Sequence, residues 1–126
     1  MDTRSHQLVL DVWLDQPLTQ KVIDSVLDIV RSHTKVLAEF KYEYQDPEME
    51  GHPGIGGQTY VFILSESHFV LHSYPESNYF LIDLYVCDVT TDLKGIASKI
   101  RKSLQVKEVQ QEIHPRGVPG TPTAQD

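Results

Sequence analysis

The chain contains a single cysteine, Cys87, in 126 residues, so it cannot form a disulfide within itself. It has no apolar run approaching the roughly 18 residues that a membrane-spanning helix needs. It also has no positively charged segment followed by an apolar one, the pattern of an export signal. These absences predict a protein of the cytoplasm without a membrane partner.

Basic residues are scarce. Eleven Lys and Arg stand against 18 Asp and Glu, which gives a net charge of −7. The basic residues are scattered, apart from a small group at Lys99, Arg101 and Lys102. Nucleic-acid phosphates are bound by clustered basic side chains, so we expect no nucleic-acid partner and favour a small-molecule substrate.

Hydrophobic periodicity predicts six strands and two helices in one domain. The fold class predicted is α+β: a two-layer sandwich of a mostly antiparallel sheet with two helices packed on one face. The domain covers residues 1–113, with a flexible tail at 114–126 and a loop at 45–58 that holds two prolines and four glycines. The predicted strands are 7–13, 35–44, 59–65, 68–73, 79–86 and 106–113, and the predicted helices lie within 15–33 and 90–104.

Alternation along two of these strands predicts a polar face opposite the helices. It carries four residues with chemically useful side chains: His68, His72, Asp83 and Cys87. No pair of them has a recognised metal-ligand spacing, and we therefore expect no metal site.

The chain contains, in order, GIGGQT, which starts at Gly54, and then YVFILS, ESH, HSYPE and YVC, so that the motifs are concentrated between 56 and 87. This succession resembles the S-adenosylmethionine decarboxylase family in its short bacterial and archaeal form, over residues 7 to about 113. Three positions depart from the usual family pattern. Thr59 stands for a serine, Tyr74 stands for a tryptophan, and no aromatic precedes the glycine-rich segment, although Tyr42 or Tyr44 could substitute for it.

The resemblance implies a proenzyme that cuts itself between Glu66 and Ser67, giving a β chain of residues 1–66 and an α chain of 67–126. The hydroxyl of Ser67 attacks the carbonyl of Glu66, and elimination followed by hydrolysis leaves a pyruvoyl group at position 67. His72 removes the Cα proton in the elimination, and the hydroxyl of Thr59 assists.

The resemblance also implies pyruvoyl-dependent decarboxylation, with no metal and no pyridoxal phosphate. The substrate amine forms a Schiff base with the pyruvoyl ketone, and Cys87 donates the proton to Cα. Glu76 binds the ribose hydroxyls and Tyr74 stacks on the adenine. Short members of the family pair, so a homodimer with sites near the subunit boundary is expected.

Two questions stay open at this level. Arginine or ornithine could be the substrate instead of S-adenosylmethionine, and an unprocessed small-molecule-binding domain is a further alternative.

The second question is geometric. Ser67 and His72 are five residues apart, which places them on opposite faces of a regular strand. A break or bulge at 66–68 would remove that conflict.

Overall fold

A computed structural model describes residues 4–44 and 56–119 of the chain. Within these residues, six strands form one antiparallel sheet in the order β2-β3-β4-β5-β1-β6. The two helices pack on one face of it, which confirms the predicted fold class. The elements are β1 Ser5–Leu14, α1 Gln20–His33, β2 Val36–Glu43, β3 Gln58–Leu64, β4 Ser67–Tyr74, β5 Tyr79–Val86, α2 Leu93–Lys102 and β6 Val106–Arg116.

Each helix begins at a side-chain cap and buries one apolar stripe. The hydroxyl of Thr19 accepts a hydrogen bond from the amide of Val22 at 3.3 Å, and Asp92 accepts one from the amide of Gly95 at 2.9 Å. Such caps satisfy amides that have no partner within the helix. The buried stripes are Val22, Ile23, Val26, Leu27 and Val30 in α1, and Leu93, Ile96, Ala97 and Ile100 in α2.

The sheet face below the helices forms the core. Alternate residues of the four central strands are fully buried there, with Phe62, Phe69 and Phe80 as the largest side chains. Burial of each such side chain stabilises the fold by roughly 1.5–3 kcal/mol. This packing fixes the register of the strands, because a slip of one residue would expose every apolar side chain.

The opposite face of the sheet, which we call the open face, carries exposed apolar side chains. Phe40 is 61% exposed, Tyr42 63% and Ile63 42%. The pairing of Phe40 with Val61 and of Tyr42 with Thr59 places them on the same face as His72. From Phe40 onward, the period-two apolar pattern of β2 therefore points away from the helices, whereas Val36 packs against the core.

Several boundaries differ from the prediction. Strand β6 continues to Arg116, three residues into the predicted tail, because Pro115 and Arg116 pair with the start of β1. Both helices are shorter than predicted and begin after their caps. Most of the predicted loop at 45–58 and the end of the tail, residues 120–126, lie outside the described residues.

No helix in the described ranges is long and apolar enough to cross a membrane.

Candidate active site

The serine singled out by the sequence begins a strand directly after a tight turn. β3 ends at Leu64 and β4 begins at Ser67, so only Ser65 and Glu66 form the connection. Glu66 has a φ of 54°, a left-handed backbone conformation that is uncommon for a residue other than glycine. The register between β3 and β4 is regular as far as Ser67. A break or bulge at 66–68 would have placed Ser67 and His72 on one face. No bulge occurs there, and the unusual backbone lies in the turn at Glu66.

Ser67 and Cys87 meet at this end of the sheet. The backbone amide of Cys87 donates a hydrogen bond to Ser67 Oγ at 3.0 Å, and the Cys87 thiol lies 4.0 Å from the carbonyl oxygen of Ser65. β5 ends at Val86, so the alternation that predicted a shared face for Cys87 and His72 does not reach Cys87. The cysteine side chain is half-buried and unpaired with any other cysteine.

Both residues line a cleft of about 510 Å³, which we call the serine cleft. Its far wall comes from the end of α1 and the residues that follow. Hydrogen bonds hold that wall against β2, since Arg31 donates two of them to Glu39, each 2.8 Å long. These bonds lower the pKa of the Glu39 carboxyl group. The amide of Ser65 also donates to the carbonyl of Lys35 at 3.2 Å. The lining residues are Ser32, His33, Thr34, Lys35, Leu64, Ser65, Ser67, Val86, Cys87, Asp88 and Thr91.

Thr59 and His72 form a second group at the other end of β4. They are direct cross-strand partners, with Thr59 Oγ1 2.8 Å from His72 Nδ1. The hydroxyl of Tyr44 lies 3.1 Å from the same Oγ1. These side chains line a cleft of about 410 Å³, the histidine cleft, whose lining residues are Tyr44, Gly57, Gln58, Thr59, His72, Ser73, Tyr74 and Glu76.

A row of three aromatic rings supports Tyr74 beside the histidine cleft. Tyr74 stacks on Tyr79 with ring centroids 5.4 Å apart, and Tyr79 stacks on Trp13 at 4.8 Å. Burial, followed by the nearby Asp11 carboxylate, raises the pKa of Tyr79 to about 12, and its hydroxyl donates to Asp11 at 3.2 Å. Sequence reasoning missed this row, although the three residues fall on one sheet face by alternation.

A buried glutamine supports the floor of the histidine cleft. Gln58 is 1% exposed, and its side-chain amide donates to Gln20 at 2.8 Å and to Glu43 at 2.9 Å. Its backbone amide donates to the hydroxyl of Ser73 at 3.0 Å. These bonds hold the strand segments that carry Thr59 and His72 in register from the helix side. The sequence carried no signal for this glutamine, because its partners come from distant segments.

The two clefts do not meet within one chain. Ser67 and His72 are five residue steps apart along β4, a distance of roughly 17 Å at about 3.3 Å per step. Ser67 also shares its face with buried Phe69, whereas His72 lies on the open face.

The four residues considered as metal ligands are dispersed as well. His68 stacks on Tyr85 at 5.4 Å, and Asp83 lies opposite Val70 on the sheet. No group of three or more potential metal ligands occurs in the part of the chain that the structure describes.

Comparison with known proteins decides the family. The sequence model of the S-adenosylmethionine decarboxylase family matches residues 8–117 of this chain. The chain belongs to this family. That confirms the resemblance drawn from the motifs between 56 and 87, and with it the prediction of an enzyme of the decarboxylase class.

Curated relatives match over nearly the whole chain. An S-adenosylmethionine decarboxylase proenzyme 1 of Bacillus anthracis is 30% identical over 125 residues, covering 93% of this chain and 87% of the relative. A proenzyme of Clostridium botulinum strain Langeland is 28% identical over 116 residues, covering 87% and 91%.

A solved structure supports the fold. The adenosylmethionine decarboxylase of Aquifex aeolicus VF5 superposes with a TM-score of 0.73 over 98% of both chains, at 20% identity. At that identity the likeness speaks for the fold alone.

Proposed function

We propose that this chain is a proenzyme that cleaves itself between Glu66 and Ser67 and then decarboxylates S-adenosylmethionine. The product is the aminopropyl donor used in spermidine and polyamine synthesis. The observation that carries the proposal is the turn at Glu66, whose left-handed backbone directly precedes a serine hydroxyl held by the Cys87 amide. A residue held in a sparsely populated backbone conformation stores strain, and cleavage of the peptide bond that follows it would release that strain.

The cleavage can be written with its atoms balanced. Ser67 Oγ bonds to the carbonyl carbon of Glu66, and the peptide C–N bond breaks to leave an ester and a free amine. His72 takes the Cα proton of residue 67, and the Cβ–Oγ bond of that residue breaks, releasing Glu66 as a carboxylate and leaving dehydroalanine at position 67. Water then replaces the nitrogen of the dehydroalanine, which leaves as ammonia, and residue 67 becomes a pyruvoyl group.

The residues of the serine cleft suit the group that this cleavage would form. Position 67 opens into the cleft beside the thiol of Cys87, which supplies a proton donor. The pyruvoyl ketone supplies a carbonyl that condenses with the substrate amine and accepts the electrons left when carbon dioxide departs. Cys87 then donates a proton to the substrate Cα. Neither a metal nor pyridoxal phosphate is required.

The histidine cleft suits the nucleoside. Glu76 lies at its rim, where a carboxylate can accept hydrogen bonds from two vicinal ribose hydroxyls. Tyr74 supplies one aromatic surface for adenine, backed by Tyr79. Tyr44 lines the same cleft and takes the place of the aromatic missing before the glycine-rich segment, whereas Tyr42 is not among the lining residues.

A complete site needs two copies of the chain. The cleavage requires His72 near Ser67, yet these residues occupy separate clefts on opposite faces of β4. We propose a homodimer in which the open faces pack against each other with β4 strands antiparallel. This packing covers Phe40, Tyr42 and Ile63, and it sets the end of β4 that carries His72 in one chain beside the end of β4 that carries Ser67 in the other.

Arginine or ornithine remains the second candidate substrate. It would use the serine cleft and leave Glu76 and the aromatic residues of the histidine cleft without a ligand. The presence of both Glu76 and two tyrosines in that cleft favours the nucleoside.

Intact mass under denaturing conditions tests the self-cleavage. The purified protein should give two fragments, ending at Glu66 and beginning at position 67. Their masses should add up to the mass of the uncut chain plus one water minus one ammonia, because hydrolysis of the dehydroalanine exchanges these. A contaminating protease would add one water and lose nothing.

Ser67→Ala is the matched control and should remain a single chain. A single intact mass for the unaltered protein after long incubation would reject the self-cleavage and favour the unprocessed binding domain. Assays of carbon dioxide release from S-adenosylmethionine, arginine and ornithine then decide the substrate.

A further inference from the structure

Tyr44 extends the pair formed by Thr59 and His72 into a chain of three hydrogen-bonding side chains. Its hydroxyl lies 3.1 Å from Thr59 Oγ1, which in turn lies 2.8 Å from His72 Nδ1. Tyr44 directly follows β2, and its backbone amide donates to the carbonyl of Gly57 at 2.8 Å. A Cβ atom at Gly56 would lie 2.8 Å from the Tyr44 carbonyl oxygen, so glycine permits this close approach.

Thr59 leaves only one nitrogen of His72 for chemistry. Nδ1 is occupied by the threonine hydroxyl, so Nε2 is the atom that can reach a substrate or a second chain. To accept a proton, Nε2 must carry a lone pair, which places the ring proton on Nδ1. The hydrogen bond at one ring nitrogen sets the protonation of the other.

We propose that Tyr44 is a positioning residue that fixes His72 in the tautomer required of the base. This inference rests on the proposed self-cleavage. The Tyr44 oxygen accepts the hydrogen of the Thr59 hydroxyl, so that Thr59 Oγ1 accepts the hydrogen of His72 Nδ1. Nε2 is then unprotonated and faces outward. Tyr44 is half-exposed, so its hydroxyl can donate its own hydrogen bond to solvent water.

Removal of the tyrosine hydroxyl releases the Thr59 hydroxyl to donate to Nδ1 instead. That reversal moves the ring proton to Nε2 and occupies the atom needed for proton abstraction. Tyr44→Phe keeps the aromatic ring that lines the histidine cleft, so its effect is confined to the hydrogen-bonding chain. Because this side chain is 50% exposed, the substitution should not prevent folding.

The experiment compares the rate of self-cleavage in the full chain with Tyr44→Phe and with the control Ser25→Ala. Ser25 is an exposed residue of α1 on the helix side of the sheet, and its hydroxyl donates to the carbonyl of Val22 at 2.8 Å, so the control also removes one hydroxyl but lies away from both clefts and the open face. Time courses of freshly synthesised protein are followed by intact mass. Tyr44→Phe should slow cleavage about tenfold, the equivalent of one hydrogen bond, and Ser25→Ala should cleave at the unaltered rate.

Nitrogen-15 NMR of the histidine rings reports the tautomer of His72. This tautomer would not change if Tyr44 only stabilised the fold. The spectra are recorded in the uncut Ser67→Ala background. The signals of His72 are assigned as those that disappear when His72 is replaced. The ring proton should sit on Nδ1, and addition of Tyr44→Phe should move it toward Nε2. Cleavage of Tyr44→Phe at the unaltered rate, or slower cleavage with the same tautomer, would overturn the proposal. Failure of the self-cleavage itself would look different, because the unaltered chain would then stay intact while the NMR comparison still tested Tyr44.

Discussion

Replacement of Cys87 by alanine should leave self-cleavage intact and slow decarboxylation by roughly 10²–10⁴-fold, the usual contribution of a positioned acid. Cleavage should survive because Cys87 holds Ser67 Oγ through its backbone amide, which the substitution retains. Decarboxylation should slow because the thiol that would protonate the substrate Cα is gone. The processed variant should also lose activity during turnover, since protonation at the pyruvoyl carbon instead of Cα converts the ketone into an amine.

The measurements are the rate of carbon dioxide release and the number of turnovers before inactivation, each compared with the unaltered enzyme. Cys87→Ser keeps the size of the side chain and replaces the thiol by a much weaker acid, so it should resemble the alanine variant. If Cys87 only packs, alanine should cost about 1 kcal/mol of unfolding free energy and leave the kinetics alone. Equal rates and equal turnover numbers would remove Cys87 from the mechanism.

Ile63→Glu should turn the proposed dimer into a folded monomer that does not cut itself. Ile63 is 42% exposed on the open face, so a charge there is solvated in the monomer and costs it little stability. In the proposed dimer the same charge would be buried without a partner, which is strongly unfavourable. Loss of the dimer separates His72 from Ser67, and cleavage should stop.

Light scattering gives the assembly state of this variant, circular dichroism its folding, and intact mass its cleavage. Lys21→Glu is the control, because it adds negative charge on an exposed position of α1, on the helix side of the sheet. It should remain a dimer and cleave normally. An Ile63→Glu monomer that still cleaves at the unaltered rate would show that one chain suffices.

The core of this fold could be predicted from the sequence, because the period of two in strands and the period of 3.6 in helices are local patterns. Alternation along β5 and the apolar stripe of α1 each predict a buried face without knowledge of any partner. The same alternation in β2 could not show that Phe40 and Tyr42 point away from the helices. The direction of a face depends on pairing with β3, which is a tertiary contact.

The sequence motifs proposed the residues of the candidate site, but they could not show its arrangement. Motif spacing singled out Ser67, His72 and Cys87, and only the structure divided them between two clefts. The stop of β5 at Val86 and the turn at Glu66 depend on hydrogen bonds to distant segments, such as the one from Ser65 to Lys35. For the same reason, the sequence could not tell which nearby tyrosine lines the histidine cleft.

Cleavage in mixed dimers tests most directly the claim that one active site is built from two chains. Ser67→Ala and His72→Ala, each with its own tag, are expressed separately and together, and every chain is weighed under denaturing conditions. Each variant alone should stay largely uncut. In the mixture, the His72→Ala chain should be cut between Glu66 and Ser67, because the Ser67→Ala chain supplies an intact His72 across the interface. If both chains stay intact in the mixture while the unaltered protein cuts itself, or if His72→Ala cuts itself at the full rate alone, the account is contradicted.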